Sequence, residues 1–111
     1  MQLLGPEDSV PEGEAKEFTV EQGTIFAVRH DGVLYTYANW CPHLGIPLNY
    51  MPDQFLDGDK QFIECVNHGA IFEIDTGMCI SGPCHGEALT FVPHEIREGN
   101  IWAEWIDPGQ E

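Results

Sequence analysis

The stretch Thr24-Ile25-Phe26-Ala27-Val28-Arg29-His30-Asp31-Gly32-Val33-Leu34-Tyr35-Thr36-Tyr37-Ala38 places two runs rich in β-formers, 24–30 and 33–38, on either side of Asp31-Gly32. Asp-Gly between such runs signals a tight hairpin, because a two-residue turn needs positive φ at both central positions. The same grammar repeats outward. Phe18-Thr19-Val20 reads as a short strand before the hairpin. Asp57-Gly58 precedes a strand at 61–65. Asp75-Thr76-Gly77 separates strands at 70–74 and 78–80, and Glu98-Gly99-Asn100 separates 89–96 from 101–105. Asp53 to Leu56 is expected to form one helical turn, but no segment carries a sustained helical period with caps. The expected fold is all-β, with short antiparallel strands in a sandwich or barrel.

At 111 residues the chain has the length of one domain. Its middle differs from its ends. Residues 41–87 hold all four cysteines and three of the five histidines, whereas the long apolar strands lie outside them. The expected organisation is a single domain over 1–111, with base strands at about 1–40 and 88–111 and an inserted metal-binding lobe at about 41–87.

The charge is lopsided, with four Lys and Arg against nineteen Asp and Glu and a net charge of −15. Such a chain lacks the basic face that nucleic acid requires and is repelled by an anionic membrane. The acidity suits electrostatic steering toward basic partners, or serves solubility alone. No apolar run approaches the ~20 residues needed to cross a bilayer. Met1 to Pro6 lacks the basic n-region and apolar h-region of a signal peptide, and no twin-arginine signal is expected. The expected compartment is the cytoplasm, where cysteines stay reduced. Four cysteines there suggest metal binding before disulfides.

Two short motifs carry that chemistry: Cys41-Pro42-His43 and Cys65-Val66-Asn67-His68. Leu44-Gly45 follows the first and Gly69 the second. Each motif offers one soft thiolate and one imidazole. Two of each satisfy either a tetrahedral zinc or a mixed [2Fe–2S] cluster. Zinc fingers usually pair Cys with Cys and His with His, with the histidines on a helix. Here each pair is mixed and lies between predicted strands. In a cluster, each loop can hand its Cys to one iron and its His to the other, as in a Rieske centre.

Together the two motifs resemble the two halves of the signature of small Rieske-type [2Fe–2S] ferredoxins, the ferredoxin components of ring-hydroxylating dioxygenases. Phe72-Glu73-Ile74-Asp75-Thr76-Gly77 resembles the hairpin after the second motif in that family. Ser81-Gly82-Pro83 resembles the proline loop that covers the cluster. Pro11-Glu12-Gly13-Glu14 and Ala88-Leu89 are similar to their counterparts. The resemblance implies a Rieske-like antiparallel β-sandwich or barrel with an inserted cluster-binding lobe. It implies one Rieske-type [2Fe–2S] cluster per chain, with Cys41 and Cys65 on one iron and His43 and His68 on the other, the histidines nearest any partner. It further implies an electron carrier between a reductase and a terminal oxygenase or other redox enzyme, with no substrate chemistry of its own. Two alternatives stay open. One is an accessory small subunit of a nitrite-reductase-like enzyme. The other is a zinc-bound interaction module.

The ligand set sets the charge. Two ferric ions, two sulfides and two thiolates sum to zero, where four thiolates would leave −2. A less negative centre accepts an electron more readily, so Rieske potentials span about −150 to +300 mV against about −400 mV for plant-type ferredoxins. High-potential members carry a further disulfide between the two loops and hydroxyl donors beside the second. Ile46 and Asn67 stand at the matching loop positions, and Ala70 and Phe72 bring no hydroxyl. The expected potential is therefore near the low end.

Residues 44–64 between the motifs are longer than the family's usual spacing. The extra length is expected around Tyr50 to Lys60, as a partner contact or as a tolerated surface insertion. Cys79 and Cys84 are a local disulfide, a redox-sensitive pair or two small buried hydrophobes. His30 and His94 are expected on the surface of strands, and His85 near the cluster rim. Trp40 is expected to pack, shield the cluster or dock a partner. Trp102 and Trp105, at odd spacing, should face opposite sides of the last strand.

Overall fold

The computed structural model describes residues 1–41, 48–49, 53–65, 69–82 and 86–107. These residues are nearly all β, with nine strands and one 3₁₀ turn at Glu7–Ser9. The strands are β1 (Gln2–Pro6), β2 (Ala15–Val20), β3 (Gly23–His30), β4 (Val33–Ala38), β5 (Phe62–Cys65), β6 (Ala70–Glu73), β7 (Cys79–Ser81), β8 (His94–Arg97) and β9 (Asn100–Ala103). They form three antiparallel three-stranded sheets, ordered β1-β9-β8, β2-β3-β4 and β5-β6-β7. Among the described residues no helix is long and apolar enough to cross a membrane.

The β3–β4 hairpin forms where expected. His30 pairs with Val33, and Asp31 and Gly32 both take positive φ (52° and 79°). That is the two-residue turn whose twist matches the flanking strands. The Glu12 carboxylate caps it, accepting the N–H groups of Gly32 at 2.7 Å and Asp31 at 2.8 Å. Glu12 titrates below the usual carboxylate range, chiefly because of the Gly32 hydrogen bond.

Ile25, Phe26, Ala27 and Val28 are all buried, so β3 is covered on both faces. Phe26 and Val28 face a cluster with Tyr37, Leu48, Phe55, Ile63, Phe72, Ile74 and Leu89. Ile25 packs with Ala38, Val92 and Ala103, and Ala27 with Val10, Phe18, Leu34 and Ile101. An uninterrupted apolar run is what a strand buried on both sides requires.

Several expectations change. Asp53 to Leu56 is not a helical turn: Asp53 has φ +65°, and Leu56 bridges Ile63. A left-handed residue at its start is incompatible with a right-handed turn. The expected strand at 89–96 is divided. Ala38 N–H donates to Thr90 (3.0 Å) and Val92 N–H to Thr36 (2.9 Å), so residues 90–92 run along β4. After Pro93, which has no N–H to donate, His94–Arg97 pairs with β9 instead. Trp105 lies beyond the end of β9, and its ring tip would sit 2.8 Å from a Cβ placed on Gly23. Strand β1 was not expected.

The lengthened segment is no loose surface insertion where it is described. Phe55 is fully buried and stacks on Phe26, centroids 4.3 Å apart and planes 7° from parallel. Glu64 N–H donates to the Phe55 carbonyl (2.9 Å), Glu17 N–H donates to Asp53 Oδ1 (2.7 Å), and Lys60 pairs with Glu14.

Candidate metal centre

Cys41 lies just past the end of β4, and Cys65 is the last residue of β5. Both thiols are buried (1% and 0% exposed) and belong to one core cluster with Phe26, Phe55, Ile63 and Phe72. The fold thus brings together two cysteines separated by the whole of the lengthened segment. His43 and His68, with Ile46 and Asn67, lie outside the described residues.

The base of the second motif is the β5–β6 hairpin. Cys65 pairs with Ala70, and Gly69 N–H donates to the Cys65 carbonyl at 2.8 Å. The described residues on either side of 66–68 are therefore hydrogen-bonded to each other. A third segment meets them there. Gly82 has φ +103°, and a Cβ on it would lie 2.8 Å from Ala70 Cα, so only glycine allows this approach. Pro83, Cys84 and His85 are outside the described residues.

The base of the first motif is held by Asn39, a buried polar residue that the motif search passes over. Its Oδ1 accepts the Leu48 N–H at 2.8 Å, and its Nδ2 donates to Asn49 Oδ1 at 2.9 Å. An Asn at a strand end, two residues before a candidate ligand, is a weak signal for such a cap.

Cys79 is also buried, and its thiol donates to the Ser81 carbonyl at 3.3 Å. Among the described residues no two cysteines are joined by a disulfide. Trp40 is 38% exposed, so it is not a core residue. It lines a cavity with Gly23, Thr24, Asn39 and Trp105. Trp102 and Trp105 are both half-buried. His30 ends β3 beside Asp31, 3.5 Å away. His94 is not a surface residue. It is half-buried, its Nδ1 lies 2.9 Å from Thr36 Oγ1, and burial pushes its pKa down.

Charge around the candidate centre has one sign. The chain's Lys and Arg residues are Lys16, Arg29, Lys60 and Arg97, so 30–59 and 61–96 contain none. Arg29 pairs with Glu7, Lys60 with Glu14 and Arg97 with Glu95. Glu73, Asp75 and Glu87 lie in the stretch 61–96, which holds no Lys or Arg.

The donor set fits an iron–sulfur cluster. Two soft thiols belong to one apolar cluster, each in a sequence motif that also contains an imidazole. The Rieske [2Fe–2S] domain profile matches residues 1–94. The ferredoxin of Sphingomonas yanoikuyae B1 is similar in structure, with TM-score 0.74 and 28% identity over 94% of this chain and 97% of that one. The ferredoxin of carbazole 1,9a-dioxygenase from Nocardioides aromaticivorans IC177 has TM-score 0.71 and 20% identity, covering 93% of this chain and 97% of that one. A chain in the complex of reduced oxygenase and oxidized ferredoxin in carbazole 1,9a-dioxygenase has TM-score 0.72 and 22% identity, covering 91% of this chain and 89% of that one. No curated protein sequence matches. The chain belongs to the Rieske [2Fe–2S] domain family, whose cofactor is a Rieske-type [2Fe–2S] cluster.

Proposed function

We propose that this chain is a cytoplasmic one-electron carrier, formed as a single domain over 1–111, with no substrate chemistry of its own. Cys41 and Cys65 hold one iron of the cluster, and His43 and His68 hold the other. When bound, the cluster supplies reversible one-electron transfer near zero net charge. The observation that carries this reading is that Cys41, just past β4, and Cys65, at the end of β5, belong to one buried cluster.

The surrounding residues exclude water from the thiol side. Phe26, Phe55, Ile63 and Phe72 are each fully buried there. The histidines, which follow Cys41 and Cys65 in sequence, form the side an electron enters and leaves. The partners are a reductase and a terminal oxygenase, in line with the oxygenase–ferredoxin complex to which the chain is similar. A partner with a basic face suits a chain of net charge −15, and electron transfer to it should slow as salt rises.

Iron and acid-labile sulfide analysis with a one-electron titration tests this reading. The expected result is two irons and two sulfides per chain, one electron taken up reversibly, and loss of both properties in Cys65→Ser. A colourless protein with one zinc per chain would overturn it.

A further inference from the structure

Asn39 is 6% exposed, and its side chain makes two hydrogen bonds, one as acceptor and one as donor, to two successive residues. It stands two residues before Cys41. Its partners, Leu48 and Asn49, are the first described residues after the segment 42–47. The network runs further. Asn49 Nδ2 donates to Glu17 Oε1 at 2.7 Å, and Glu17 N–H donates to Asp53 Oδ1 at 2.7 Å.

The direction of each bond follows from both ends of the chain of groups. A carboxylate only accepts, so Asn49 must turn its NH₂ to Glu17 and its oxygen to Asn39. A backbone N–H only donates, so Asn39 must turn its oxygen to Leu48. Both amide orientations are thereby fixed without ambiguity. Only a side chain with one acceptor and one donor at that length satisfies both neighbours. Leu48 is itself fully buried in the cluster that holds Cys41, so the polar clamp and the apolar packing act on the same stem.

We propose that Asn39 is a positioning residue for the Cys41–His43 half of the centre. It clamps the two stems of the first ligand loop to one another and, through Asn49 and Glu17, to β2 and the lengthened segment. This inference rests on the ligand assignment proposed above. The lengthened segment thus acts as a buttress for the first loop.

The test compares Asn39→Ala with Thr36→Val, a buried polar residue three positions earlier, on β4, bonded to Val92 and His94 instead. Two readouts are taken on the cluster-loaded proteins: the EPR line shape after dithionite reduction, and the rate of iron release to a ferrous chelator. Asn39→Ala should broaden the EPR lines and speed iron release about tenfold, as expected for losing a clamp made of two buried hydrogen bonds. Thr36→Val should lower thermal stability and leave both readouts unchanged. Wild-type line shape and release rate in Asn39→Ala would overturn the proposal, as would equal changes in Thr36→Val. If Asn39→Ala does not load, Asn49→Ala removes the bonds to Asn39 and Glu17 at a half-buried site while leaving the Asn39–Leu48 bond, and the same readouts decide. A wild-type protein without a Rieske-type EPR signal would instead defeat the ligand assignment.

Discussion

Tyr37 Oη donates a 2.6 Å hydrogen bond to the carbonyl oxygen of Ile74, tying β4 to the turn between β6 and β7. Tyr37 is fully buried, and its ring lies against the backbone of Gly77: a Cβ there would sit 2.8 Å from Tyr37 Cε1. Gly77 has φ +72°, so conformation and contact both demand glycine. One aromatic side chain therefore connects the β2-β3-β4 sheet to the hairpin behind the candidate centre. Tyr37→Phe strands the Ile74 carbonyl and should cost about 1–3 kcal/mol in chemical denaturation, with the cluster still bound.

The same burial makes the protein sensitive to alkali. Burial, with the Asp75 charge in second place, raises the Tyr37 pKa well above its ordinary value. The unfolded phenol ionises first, near pH ~10, while the folded one stays protonated. Its contribution to stability is thus complete below that pH and is lost progressively above it. Melting temperatures measured from pH 8 to 11 should fall less steeply in Tyr37→Phe than in the wild type.

His94 gives the opposite slope. Burial lowers its folded pKa, so its contribution is present above the unfolded value of about 6.5 and is lost as pH falls below it. Thr36 has a single hydroxyl proton, which goes to the Val92 carbonyl at 2.6 Å, so His94 Nδ1–H donates to Thr36 Oγ1. His94→Gln should flatten the acid limb of the stability profile between about pH 7 and 5, read by thermal melts.

Phe55 is the core anchor of the lengthened segment. It is fully buried and stacked on Phe26. Phe55→Ala should destabilise the protein by about 3–5 kcal/mol in urea unfolding. A surface insertion would lose far less.

The reduction potential should lie in the lower part of the Rieske range of about −150 to +300 mV. Ala70 and Phe72, the β6 residues beside the second motif, are buried and carry no hydroxyl. The net charge of −15 further disfavours an added electron. Protein-film voltammetry reads this value directly.

Much of this was legible in the sequence. Asp31-Gly32 announced its hairpin because a two-residue turn has a local chemical signature. The Cys-His motifs announced the metal centre because ligand types cannot be disguised. Strand β1 was not legible: Leu3 and Leu4 are followed by Gly5-Pro6, and the partner is β9 at the far end of the chain. The sheet switch at Pro93 depends on which neighbour offers an acceptor, a tertiary fact. Phe55 sat among Asp, Gln and Gly, a polar setting that hid its burial. Asn39 carried only a weak sequence signal, since its role is visible only once Leu48 and Asn49 are placed beside it.

The central claim is the mixed ligand set of Cys41, His43, Cys65 and His68. EPR of the dithionite-reduced protein, with pulsed detection of ligand nitrogens, tests it most directly. The account predicts a rhombic Rieske-type signal coupled to two imidazole nitrogens, with one of the two couplings lost in His68→Cys. A signal without nitrogen coupling, or no signal from a protein carrying zinc, would contradict it.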